Sequence, residues 1–126
     1  MTSEGVDPND LRALSAVVAE FMTERGWDPY HTPKNVAAAI AVEAAELQEI
    51  YLWRTPDDLA DDKRDQIEAE AADIAICLVN FCNRTGIDLG AAVLKKLASA
   101  AKKYPVDRVH GSMKKYSDYA EWDGER

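Results

Sequence analysis

Two stretches of the 126-residue sequence carry carboxylates at a spacing of three: Glu43 and Glu46 in EAAELQEIYLWRTP, Glu70 and Asp73 in EAEAADIAI. Residues three apart share a helix face, so each stretch would present an acidic pair in one direction. Four carboxylates facing one another repel, and one or two would have to take up protons. A hard cation with oxygen ligands removes that repulsion. Magnesium suits such a set, because it takes octahedral oxygen coordination and keeps waters, leaving room for phosphate oxygens. Asp73 stands between Ala71-Ala72 and Ile74-Ala75-Ile76, neighbours that predict burial or near-burial. Glu49 and Glu68 are read as solvated, the ordinary condition of a helical glutamate.

Competing chemistries fit less well. A di-iron carboxylate bundle uses Glu-x-x-His on two helices. The only histidines are His31 and His110, and neither lies three residues after a glutamate. Zinc would lack nitrogen and sulfur ligands. There is no Walker A lysine motif and no G-x-G-x-x-G. Cys77 and Cys82 are five apart, which fits neither C-x-x-C nor a disulfide framework, and they read as free thiols in a reducing cytoplasm. The net charge of −8 argues against a nucleic-acid partner, which would call for a basic face. No apolar run reaches the roughly 18 residues of a membrane span. MTSEGVDPND has no basic n-region, so a cytoplasmic location is expected.

The elements that must hold these residues read as helices. Asp7-Pro8 predicts a helix start, with Leu11, Leu14, Val17, Val18, Phe21 and Met22 in helical period and Gly26 as the stop. Thr32-Pro33 starts a second helix, running to about Trp53 before Pro56. The charge-dense PDDLADDKRD connects it to a third helix, from about Gln66 to Arg84 before Gly86. IAICLVNFC makes that helix apolar on nearly every side, so it should sit centrally. Asp88 caps a fourth helix to about Lys103, and an irregular tail follows from about residue 106. No alternating pattern suggests a sheet. The expected architecture is all-α: one domain over residues 1–126, built as a four-helix bundle. Alanines in NVAAAIAVEAAEL leave the protomer short of bulky core residues and point to packing between copies of the chain.

Four blocks in order then carry a resemblance: W-x-x-x-H-x-P-K-N from Trp27, E-A-A-E-L-x-E-x-x-x-W from Glu43, E-x-x-D-I from Glu70, and K-Y-P-V-x-x-x-x-G-S-x-K-K-Y from Lys103. Over residues 11–116 the chain resembles the all-α MazG-like nucleotide pyrophosphohydrolases, and within them is most similar to the dCTP pyrophosphatase branch. The resemblance implies hydrolysis of a nucleoside triphosphate, of pyrimidine or modified type, to monophosphate and pyrophosphate. It implies Mg2+, with Mn2+ as substitute, on Glu43, Glu46, Glu70 and Asp73, and Glu46 as the carboxylate that orients or deprotonates water. Trp27 and Trp53 match tryptophans of the base pocket, with core or interface packing as their ordinary alternative. His31, Lys34 and Asn35 fall in the matching loop and helix start. Lys96 and Lys103 match basic positions facing the triphosphate, and Tyr104 and Arg108 follow in the K-Y-P block. Lys95 and Lys102 read as solvated, and Lys114, Lys115 and Tyr116 as a basic tail.

The chain also departs from that pattern. Ala100 stands where the family often has asparagine, Val18 where the dCTP-hydrolysing members have histidine, and Cys77 where they have tyrosine. Polar contacts to a base carry discrimination. Their loss implies a broader or shifted substrate range. A dUTP- or dUDP-directed hydrolase of the same superfamily and a non-catalytic helical nucleotide-binding module are the alternatives.

Overall fold

A computed structural model of the chain describes residues 3–113. Among them every regular element is helical: α1 Leu11–Glu24, α2 Pro33–Tyr51, α3 Arg64–Thr85, α4 Leu89–Lys103 and α5 Val106–Val109, with single 3-10 turns at Asp28–Tyr30 and Asp61–Lys63. The all-α expectation holds, with one short helix more than the four expected. The extra turn, α5, lies where the sequence reads as irregular; Pro105 stands before it in extended conformation. The residues form two compact units, Met1–Ile87 and Asp88–Arg126. Lys114, Lys115 and Tyr116 lie outside the described residues.

In the first unit, the caps set where the helices start. Asp7 is not the cap of α1, as the sequence suggests: its carboxylate accepts from the Asn9 N–H in a local turn. Asp10 takes the role, accepting from the Ala13 N–H at 3.1 Å. Thr32 caps α2 as expected, its Oγ1 accepting from the Asn35 N–H, with Pro33 in the first turn where no amide hydrogen is needed. α2 stops at Tyr51, so Trp53 lies beyond it and not on its last turn, with a left-handed φ of 70°. The α2–α3 connection is organised by Arg54. Its Nε donates to the Ile50 carbonyl, its two terminal nitrogens grip Asp62 at 2.8 and 2.9 Å, and Asp58 lies 3.3 Å away. α3 begins at Arg64, two residues before the expected Gln66, and Gly86 ends it with φ 73°.

α3 is the central helix of this unit: both α1 and α2 pack on it. Met22, Val36, Ala60, Val79 and Cys82 form the buried apolar set. Asn83 reaches from α3 to the Ser15 carbonyl of α1. Arg84 donates to the Asp28 carbonyl and pairs with its carboxylate, fixing the 3-10 turn against the end of α3. The packing is thin on one side. Val42 and Ile76 remain 56% and 40% exposed, too open for residues of a finished core.

In the second unit, Asp88 caps α4 by accepting from the Ala91 N–H, as expected. Lys102 and Lys103 occupy its last turn, where positive charge complements the helix dipole.

Candidate active site

The pairing of α2 with α3 brings the two acidic stretches together. Glu43, Glu46 and Glu70 each offer a carboxylate oxygen within 4.8 Å of the others. Glu43 and Glu70 are half-buried, and Glu46 is exposed. One oxygen of Glu43 and one of Glu70, both Oε2, are buried without a hydrogen-bond partner. A buried carboxylate oxygen left unpaired is costly. These two are therefore donor atoms awaiting a cation or a proton.

The electrostatics agree. The Glu43 carboxyl is pushed up to about 7, first by a proton shared with Glu46, then by burial and by the charges of Glu46, Asp73 and Glu70. Glu70 is also raised, first by burial, then by its hydrogen bond to Glu46 and the charges of Glu46 and Asp73. Both shifts run in the direction that crowded carboxylates impose on one another, towards holding the proton. Its donors are all oxygens, which suits a hard cation. The nearby Cys77 thiol is held in its protonated form by burial and by the charges of Glu43 and Asp73, so it is a poor ligand.

Asp73 corrects the sequence reading in one respect. It is exposed, not buried, and it stands outside the close trio. Its neighbours Ala71, Ala72 and Ala75 are themselves exposed. Small residues beside a carboxylate mark a helix face but do not cover it. The charge of Asp73 still reaches Glu43, Glu70 and Cys77. Glu49 and Glu68 are exposed as expected, and Glu68 pairs with Arg64 at 3.2 Å.

Beside the trio lies an open groove of about 440 Å³, lined by Glu46, Glu49, Ile50, Lys63, Gln66 and Glu70. Lys63 and Gln66 escape the sequence reading. The available signal was spacing: Gln66 lies four residues before Glu70, on the same face of α3. Lys63 follows from the 3-10 turn at its start.

Towards the other end of the pair, the loop before α2 carries a second cluster. Trp27 is 41% exposed. Its ring meets Phe21 edge-on at 5.9 Å and leans on His31 at the same centroid distance. His31 Nδ1 lies 3.0 Å from the side-chain nitrogen of Asn80, a buried residue of α3. Asn35 donates its side-chain amide to the Tyr30 carbonyl, so it braces this loop. Lys34 is exposed beside it. Trp53, beyond the opposite end of α2, is 94% exposed. A left-handed φ is unusual for a bulky residue and is held here by the Arg54 network on its next neighbour. Val18 and Cys77 are half-buried on α1 and α3. Lys96, Ala100 and Lys103 lie on α4, Tyr104 ends that helix, and Arg108 is on α5.

The model of the MazG-like family matches residues 38–119, most of the chain and both acidic stretches. The chain belongs to the MazG-like family. Its curated relatives include dCTP pyrophosphatase 1 of Bos taurus, 36% identical over 114 residues, and dCTP pyrophosphatase 1 of Homo sapiens, 33% identical over the same length. Each match covers 86% of this chain, which spans 66% and 65% of those relatives' own length. Among solved structures, a pyrophosphatase from Archaeoglobus fulgidus is 36% identical, with a TM-score of 0.72 over 75% of this chain and 92% of that one. The MazG-like match thus joins an all-helical fold to the carboxylate trio described above.

Proposed function

We propose that this chain is a Mg2+-dependent nucleoside triphosphate pyrophosphohydrolase, releasing monophosphate and pyrophosphate from pyrimidine or modified nucleotides. The observation that carries the reading is the trio itself. Three carboxylates converge, two of them with buried unpaired oxygens, in a MazG-like chain whose relatives are named dCTP pyrophosphatase. Glu43, Glu46, Glu70 and Asp73 would hold the metal. Once bound, Mg2+ (or Mn2+) would neutralise phosphate charge and make a bound water more acidic. Glu46, the exposed member of the trio, orients the attacking water and takes its proton. Lys63 contributes positive charge at the groove mouth. Trp27 offers its ring face to the base, which stacks with little sequence preference; Trp53, beyond the opposite end of α2, would be brought to the base by a second copy of the chain. His31, Lys34 and Asn35 complete the nucleoside side, with Cys77 between it and the carboxylates. Lys96, Lys103, Tyr104 and Arg108, on α4, at its end and on α5, are assigned to the triphosphate by the resemblance of their sequence blocks.

We read residues 1–126 as one domain that works as a homodimer or homotetramer in the cytoplasm. The exposed Val42, Ile76, Leu94 and Leu97 favour self-association. Among the described residues, no helix is long and apolar enough to cross a membrane.

The test is stoichiometry. Incubation with dCTP and Mg2+ should give equal amounts of dCMP and pyrophosphate, and chelation should stop it. Release of dCDP and orthophosphate would refute the proposed bond cleavage. The missing polar groups at Val18 and Cys77 favour a range beyond dCTP, so dUTP and modified pyrimidine nucleotides should also turn over. A strong preference for dCTP alone would contradict that part.

A further inference from the structure

Asn80 is the one buried polar residue among the described residues, at 4% exposure, and the chemistry assigned above makes no use of it. Its place is ordered by the helix. Asp73, Cys77 and Asn80 are spaced by four and then three, so they run along one face of α3. At about 1.5 Å per residue, Asn80 stands roughly 10 Å beyond Asp73 along the axis and roughly 15 Å beyond Glu70. That is the scale of an extended nucleotide with its phosphates at the carboxylates. The stripe therefore leads from the acidic trio to the ring of His31.

The contact at the end of the stripe is specific. Asn80 Nδ2 lies 3.0 Å from His31 Nδ1. With the Asn80 amide nitrogen, a donor, turned to the ring, the contact calls for Nδ1 as the bare, accepting nitrogen. The ring hydrogen then sits on Nε2. Among the described residues Nε2 has no hydrogen-bond partner, and the ring is half-buried with Trp27 leaning on it at 5.9 Å. A buried amide thus fixes a ring that would otherwise choose between two tautomers.

We infer that Asn80 is a positioning residue: it locks His31 in the Nε2–H tautomer, so that this hydrogen is donated to an acceptor oxygen of the nucleoside stacked beside Trp27. The inference deepens the proposed activity and rests on it for the identity of the ligand. The tautomer itself does not depend on that activity.

The experiment has two arms on the full chain. Long-range proton–nitrogen NMR of the wild type reads the tautomer directly, with His110→Gln used to assign the two rings. The expected spectrum shows a bare Nδ1 and a protonated Nε2 for His31. A protonated Nδ1 would overturn the inference whatever the activity proves to be. The second arm is calorimetric binding of dCTP and of tripolyphosphate, both with Ca2+, to wild type and Asn80→Leu. Loss of one neutral hydrogen bond should weaken dCTP roughly 3- to 10-fold and leave tripolyphosphate unchanged. Equal weakening of both, or of neither, would contradict a role at the nucleoside. If the variant fails to fold, Asn80→Asp serves: its oxygens accept, so His31 should carry a hydrogen on Nδ1, and at a pH high enough to keep the ring neutral dCTP should again weaken. Wild type that binds tripolyphosphate but no nucleotide would refute the proposed substrate class and this donor's ligand together, with the spectrum still deciding the tautomer.

Discussion

The two ends of the α2–α3 pair solve different problems. At the carboxylate end, like charges are pressed together and two oxygens are left buried without partners. At the other end the contacts around the His31 ring are between neutral groups: Asn35 on the Tyr30 carbonyl, Asn80 on His31, Trp27 between Phe21 and His31. The first end is built at the expense of stability and the second in its favour. Groups held in an unfavourable state mark where chemistry occurs, whereas a braced, neutral surface marks where something is recognised. Rate and selectivity should therefore be separable by mutation.

The largest effect should come from the charged end. Glu70→Gln should lower kcat/KM by more than the roughly 10- to 100-fold typical of outer-shell changes at metal sites, and kcat should carry most of the loss. A variant that lost only KM would erase the distinction between the ends. Next in size is Trp53→Ala. Stacking is worth about 1–3 kcal/mol per base, so KM should rise roughly 5- to 100-fold. The melting temperature should hardly move, since the side chain is almost fully exposed. A large drop in melting temperature would show that Trp53 is a packing residue instead.

The stability of the metal-free protein should also depend on pH. Glu43 rises from 4.5 to about 7 in the folded chain. Below pH 4.5 the folded and unfolded forms both hold its proton. Between the two values only the folded form holds it, so stability falls as pH rises towards 7. Melting in EDTA should show that decline, Mg2+ should reverse it, and Glu43→Gln should flatten it. A melting temperature that rose over the same window would contradict the repulsion described here. The smallest effect is expected of Cys77→Ser. The thiol is held protonated and is a weak hydrogen-bond donor, so steady-state constants should change by less than about two-fold.

Much of this was legible in the sequence, for local reasons. Thr32-Pro33, Asp88 and Gly86 act within a turn of themselves, and they mark helix ends where expected. The acidic pairs were legible because a spacing of three fixes a shared face. What escaped depended on tertiary contact. Asp7 and Asp10 look alike as caps, and only the chain path decides that Asp10 serves. Asp73 sits among apolar letters, yet no element of its own unit covers it. Asn80 reads as a stray polar residue in LVNFC, and its partner lies 49 positions away. Lys63 lines the groove from the 3-10 turn whose Asp62 is gripped by Arg54.

The central claim is that one acidic end does the same chemistry for every substrate while the other end chooses among them. The most direct measurement is kcat and KM for a panel of nucleoside triphosphates across a Mg2+ titration, with products resolved by chromatography. Monophosphate and pyrophosphate are expected throughout, with one common metal requirement and differences between bases expressed chiefly in KM. Turnover that persists without divalent metal, or products that change with the base, would contradict it.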